Sequence, residues 1–388
     1  MPKTLSDADW TRRRHPTSFI RMIGIKSTGQ DIFESLSSGY PPTAAPRTYG
    51  GHVFAQAAWA ASQTVQKGMF IHNCTGHFLL LGDTAVPFRY HVRRVRDGGV
   101  YCLRTVDVYQ DSKAAEGGKT PCFVATIAFK RDETNKHRKG AKGQRVSFEH
   151  QDVPQDHIYK SYRLVLEGKR FEDHSICPAG DGIWSDQMSF DQWKQRGEAF
   201  PGLEMRKVDM RRYHEQVKTG GIDGGNGPVK PEQRRLLLFY RLLRERDVDS
   251  SEQQSESSSW NHEDDPNLHA CAHLYASDRN SLFLAQRALG FESVIGQLGS
   301  LAHTVIFHGP VSTINMVAGS GRRKLYLQES WTSNSGADRV CHNSRLWDYD
   351  EGKVIATTIQ DGMMRMPIDA KPRTYDGDTL KPSRESKL

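Results

Sequence analysis

Apolar positions in the first third of the chain change period once. From His52 to about Val65 they recur at helical spacing, with Val53, Ala57, Ala60, Ala61 and Val65 on one stripe behind Gly50-Gly51. Alternating runs follow over Phe88–Val95, Val100–Tyr109 and Pro121–Lys130, separated by the turn signals Asp97-Gly98-Gly99 and Gly117-Gly118. One helix of small residues followed by antiparallel strands predicts an α+β unit whose sheet wraps the helix.

A second series begins near Leu268. It predicts a short helix over Ser281–Leu289 and strands over Ser300–Phe307, Lys324–Trp331, Arg345–Tyr349 and Val354–Gln360. Asp350-Glu351-Gly352-Lys353 makes the last hairpin turn. The two series echo each other in order and spacing. Cys122–Phe129 resembles Val354–Gln360, Phe78–Gly82 resembles Val305–Gly309, and Ala-Gln recurs at Ala55-Gln56 and Ala285-Gln286. One fold unit used twice is the expectation. If Ala125 matches Ala356, Gln360 falls where the first copy has Phe129. The first copy then reads as scaffold and the second as a site.

Between the copies the pattern is weaker. Residues 1–46 read as an irregular lead-in with one short helix, and the basic stretch Lys130–Arg145 as a solvated linker with too few aromatics for a nucleic-acid surface. Residues 155–200 show no assignable period. Gly220–Pro231 reads as a loop, Pro231–Arg246 as a basic-apolar helix, and the serine- and acid-rich Asp249–Asp265 as disordered. The expected organisation is a first unit over 17–152, a connecting region over 153–213 and a flexible insertion over 214–265. The second unit's core spans 266–368 and a tail 369–388.

Composition narrows the class. The 388 residues suffice for two or three cores. No apolar run reaches the roughly 18 residues of a membrane span, and the N-terminus lacks an apolar signal core. A soluble, unsecreted protein is expected. Six cysteines without a Cys-x-x-Cys pair fit neither a disulfide scaffold nor a zinc site, and no metal or cofactor is expected. A net charge of +7 favours anionic partners without naming one. Ser386-Lys387-Leu388 matches the tripeptide read at a free C-terminus as a peroxisomal address, which predicts a matrix location and an import receptor as partner.

Familiar motifs fail on inspection. Gly117-Gly118-Lys119-Thr120 has Lys113 where a phosphate loop needs glycine. His269 and His273 lack the glutamate of a zinc protease and read as ordinary buried or edge histidines. Ser300 has Leu298 and Ala302 where a nucleophile elbow needs glycines. Asp278 stands ahead of an apolar helix, and by pattern alone it reads as a helix cap.

At these residues the chain resembles the acyl-CoA thioesterase II family. The resemblance rests on Tyr49–Ala57, Phe148-Glu149-His150-Gln151, Tyr275-Ala276-Ser277-Asp278, His303–His308 and Thr358–Arg365, and covers most of 17–152 and 200–367. It implies a double hotdog, each half a long helix wrapped by an antiparallel sheet. It also implies hydrolysis of acyl-CoA thioesters by an Asp, a Ser or Thr and a Gln, here Asp278, Ser300 and Gln360. A homo-oligomer without a membrane span or nucleic-acid partner is expected. Two departures bear on substrate choice or activity: Ala302 replaces a common acidic residue, and the 214–265 insertion is unusual.

The chemistry suits those side chains. A thioester is a reactive acyl donor, so an oriented water suffices; the carboxylate of Asp278 is the candidate base, with Gln360 and Ser300 holding the water. Backbone N–H groups at a helix start would stabilise an oxyanion. Three rivals stand beside this reading: a non-enzymatic acyl-CoA-binding protein, an acyltransferase using another acceptor, and an enoyl-CoA hydratase. The hydratase pattern needs histidine where Phe283 stands.

Overall fold

The computed structural model describes residues 18–37, 39–41, 47–111, 119–132, 150–177, 200–219, 229–244, 264–279, 281–291 and 296–371. Asp249 to Glu263 and Ser386-Lys387-Leu388 lie outside these residues, as does most of the basic linker.

Thirteen strands form one sheet: β1 (Ile25–Gly29), β2 (Ile32–Ser35), β3 (Met69–Phe78), β4 (Arg89–Asp97), β5 (Tyr101–Tyr109), β6 (Phe123–Arg131), β7 (Ser175–Ile176), β8 (Leu203–Lys207), β9 (Leu236–Leu242), β10 (Gln297–Phe307), β11 (Tyr326–Gly336), β12 (Arg339–Asp348) and β13 (Lys353–Arg365). Their order is β1-β2-β4-β5-β6-β3-β10-β13-β12-β11-β9-β8-β7. Every pairing between them is antiparallel. The halves meet at β3 and β10, where Thr75 and Thr304 are direct partners and their hydroxyls lie 3.0 Å apart.

Outward from that seam, β3-β6-β5-β4 is mirrored by β10-β13-β12-β11. This is the double hotdog, an α+β architecture. Helix α1 (Gly50–Ser62) and helix α2 (Pro266–Ser277) pack on each other inside the sheet. Small residues make that approach possible. Ala55, Ala57, Ala58, Ala60 and Ala61 of α1 and Ala270, Cys271, Ala272 and Ala276 of α2 are all buried. Asp265 caps α2 by accepting the Asn267 N–H at 2.8 Å.

The structure corrects four sequence expectations. The second unit's partner to α1 is α2, and Ala285-Gln286 lies on the extra helix α3 (Ser281–Ala288) that follows it. The lead-in contains the hairpin β1–β2. The stretch expected as a helix over Pro231–Arg246 is instead β9, paired with β8 and β11. With it, part of the expected insertion becomes integral sheet, in the place that β2 holds beside β4.

The misassigned strand has a physical reason. Leu236, Leu238 and Tyr240 enter the core shared with the helices, while Leu237 and Phe239 face Ile158, Tyr162 and Phe171 of the connecting region. A strand covered on both faces loses its polar alternation, and a short apolar run cannot then be told from a helix by period. Glu329 anchors the covering segment. It accepts from Tyr162 Oη at 2.6 Å and Trp347 Nε1 at 3.1 Å, with His157 Nε2 at 3.2 Å.

Candidate active site

Helix α2 ends at Asp278, which keeps right-handed helical backbone and points its carboxylate across the molecule. Oδ2 accepts the backbone N–H of Gly51 at 2.7 Å, in the first turn of α1. The sequence pattern places this carboxylate as a cap on the helix that follows it, whereas this bond goes to the first turn of the other half's helix. An anion at a helix N-terminus is favoured by the aligned peptide dipoles and by orphan N–H groups. The approach is tight. A Cβ on Gly50 would meet Asp278 Oδ2 at 2.9 Å, and one on Gly51 would meet the Tyr275 carbonyl at 2.8 Å.

Asp278 Oδ1 accepts from Gln360 Nε2 at 2.6 Å, and the same amide nitrogen donates to Ser300 Oγ at 2.6 Å. The three residues expected from the sequence thus come together, from the end of α2, from β10 and from β13. Gln360 uses both N–H groups, so its orientation is fixed by two acceptors. Ser300 Oγ accepts there, which leaves its own O–H to donate elsewhere.

Ser300 reaches this cluster through a bulge. Along β10 the inward positions are His303, Val305 and Phe307, so simple alternation would turn Ser300 to the outer face. The register on β13 shifts between Ser300 (opposite Gly362) and Ala302 (opposite Asp361). The extra residue, Leu301, flips the strand's alternation and brings Ser300 inward.

Sequence reasoning missed two neighbours. Gly51 contributes its N–H, although the quoted Gly50-Gly51 block gave a signal. His303 is fully buried beside the cluster, its Nδ1 3.9 Å from Asp278 Oδ1 and its Nε2 3.0 Å from Ser277 Oγ. Burial pushes His303 down to about 4, with the neighbouring Gln360 amide opposing, so it is neutral at physiological pH. Phe129 is fully buried on β6, opposite Cys102 and Ile71. His269 and His273 are structural: His273 bridges Tyr240 Oη and the Ile314 carbonyl at 2.9 Å each, and His269 Nδ1 accepts the Met316 N–H at 3.3 Å. No group of three or more metal-ligating side chains occurs among the described residues. None of their helices is long and apolar enough to cross a membrane.

Comparison with known proteins agrees with this architecture. Residues 37–130 match the model of the acyl-CoA thioesterase N-terminal domain. Acyl-CoA thioesterase 2 of Haemophilus influenzae is 33% identical over 322 residues, covering 82% of this chain and 88% of the relative. Acyl-coenzyme A thioesterase 8 of Rattus norvegicus is 29% identical over 360 residues, covering 92% and 90%. Among solved structures, acyl-CoA thioesterase II TesB2 from Mycobacterium marinum superposes with a TM-score of 0.54 at 19% identity, over 91% of this chain and 99% of that one, which shows the shared fold. With a relative at 33% identity over most of both sequences, the chain belongs to the acyl-CoA thioesterase II family.

Proposed function

We propose that this protein hydrolyses acyl-CoA thioesters to a free acid and CoA at the Asp278–Gln360–Ser300 cluster, with water as the acyl acceptor. The observation that carries the reading is the single Gln360 amide nitrogen holding both the carboxylate and the hydroxyl at 2.6 Å. Asp278 acts as general base on a water directed by Ser300, and the water oxygen attacks the thioester carbonyl. The N-terminal N–H groups of α1 supply positive potential beside the point of attack, where the carbonyl oxygen gains charge. The thiolate of CoA then leaves and takes up a proton. The first half is scaffold for this chemistry except at Gly50-Gly51, whose backbone forms one wall of the site.

Release of free thiol from purified protein and several acyl-CoAs, with no acceptor present, tests this function. Turnover supports the hydrolase. Binding without release would leave an acyl-CoA-binding protein, and release only on adding an acceptor would make it a transferase.

The peroxisomal reading rests on Ser386-Lys387-Leu388 alone. A tagged protein lacking Leu388 should fail to reach peroxisomes in cells without an untagged copy. A second copy of this chain as partner is proposed likewise, and size-exclusion chromatography with light scattering tests it.

A further inference from the structure

Gln360 stands in a row of polar side chains that crosses four strands. His303 on β10, Gln360 on β13, His342 on β12 and Thr332 on β11 are direct partners in register. All four are buried. The row carries orphaned groups. Both ring nitrogens of His342 and Thr332 Oγ1 meet no hydrogen-bond partner among the described residues, and Gln360 Oε1 has no hydrogen bond of good geometry.

Direct cross-strand neighbours on one face stand about 4.5–5.5 Å apart at Cβ. That spacing lets these atoms meet directly or through one internal water. A buried polar atom left unsatisfied costs about 1–3 kcal/mol, so an imidazole with two of them is expensive unless it serves its neighbours.

We propose that His342 is a positioning residue for the hydrolysis inferred above: it presents an N–H to Gln360 Oε1, directly or through one water, and so keeps Gln360 Nε2 aimed at Asp278 and Ser300. The inference rests on that functional reading. Gln360 spends both amide hydrogens on Asp278 and Ser300, so only its carbonyl end remains to be held. Neutral His303 spends its one N–H on Ser277 Oγ, whose own hydrogen goes to the Leu274 carbonyl, so His303 Nδ1 carries no hydrogen to give Gln360 Oε1. His342 has neither nitrogen engaged and stands on the strand that flanks Gln360 opposite His303. Burial, with His303 adding its field, pushes His342 down to about 3, so the ring is neutral and carries one N–H. One nitrogen then donates to Gln360 while the other accepts from the Thr332 hydroxyl, giving a relay in which every donor faces an acceptor.

The test replaces His342 with leucine, of similar bulk and without polar atoms. A merely structural imidazole predicts altered stability at unchanged turnover. The positioning role predicts a kcat per folded molecule about tenfold lower or more at a KM within about twofold, with a lowered melting temperature because Gln360 Oε1 and the Thr332 hydroxyl lose their partner. His342→Gln, whose amide can still donate to Gln360 Oε1, should recover most of the lost turnover. If His342→Leu does not fold, Thr332→Val carries the test, since it removes one hydroxyl at constant shape and should lower kcat about two- to fivefold. Wild-type kcat in folded His342→Leu, or in Thr332→Val when the leucine variant is unfolded, overturns the proposal. Gln360→Ala is run in the same assay. If it is fully active, the functional reading fails first; if it is impaired while the His342 variant is not, only the positioning role fails.

Discussion

The carboxylate of Asp278 and the backbone N–H of Gly51 meet at 2.7 Å although 227 positions separate them in sequence. That bond ties the C-terminus of one central helix to the N-terminus of the other, so the site exists only when the halves are docked. Asp278→Asn removes the proposed base and keeps the shape. We expect kcat to fall by about 10²–10⁴ with the thermal transition nearly unchanged. Steady-state kinetics beside a melt check this, and near wild-type hydrolysis by the folded variant would sink the mechanism.

Gln360→Ala removes both 2.6 Å hydrogen bonds at once. In the proposed mechanism the amide orients water and carboxylate instead of holding CoA, so kcat should drop by at least about tenfold while KM changes less. An effect confined to KM would assign Gln360 to substrate binding.

At Gly51 the constraint is space. An alanine Cβ would approach the Tyr275 carbonyl to 2.8 Å and Tyr49 Cε1 to 2.6 Å, and Tyr49 Oη itself donates to that carbonyl at 2.8 Å. Gly51→Ala should cost about 1–3 kcal/mol in denaturant unfolding and shift α1 away from Asp278. Turnover per folded molecule should fall with it, showing that the first half contributes to the site.

Phe129 is the contrasting position. It is fully buried and touches no part of the Asp278 cluster that the structure records. Phe129→Ala should cost about 3–5 kcal/mol of stability by opening a cavity, with kcat per folded molecule unchanged. Loss of turnover without loss of stability would contradict the scaffold assignment.

Burial makes five of the described histidines acid-sensitive. It pushes His52, His214 and His303 down to about 4, and His273 and His342 to about 3. Unfolded, each protonates near pH 6.5. Between that value and the lower folded one the unfolded chain binds more protons, so stability falls as pH falls, by about 1.4 kcal/mol per histidine per pH unit. Melting temperature should be flat above about pH 7 and decline steeply below about pH 6. Replacing His342 with leucine should reduce that slope.

Much of this molecule is legible in its sequence because much of it is locally encoded. The small-residue stripe on α1 and the alternation along β4, β5, β6 and β13 name their elements through period alone, since each has one face on the core. The Gly50-Gly51, Tyr275–Asp278 and Thr358–Arg365 blocks point to the site because its residue types are chemically constrained. The tertiary structure decides the rest. Strand β9 is apolar throughout because the connecting region covers its second face, which no local window reveals. Ser300 faces Gln360 only because Leu301 is an unpaired bulge residue, a fact of register between two strands. The row from His303 to Thr332 is drawn from four strands that only the sheet aligns. Asp278 reads as a cap from its neighbours in sequence, and the helix it caps is set by packing of one half against the other. Periodicity records which side of an element is buried, whereas the partner on that side is a long-range contact fixed only when the sheet closes around both helices.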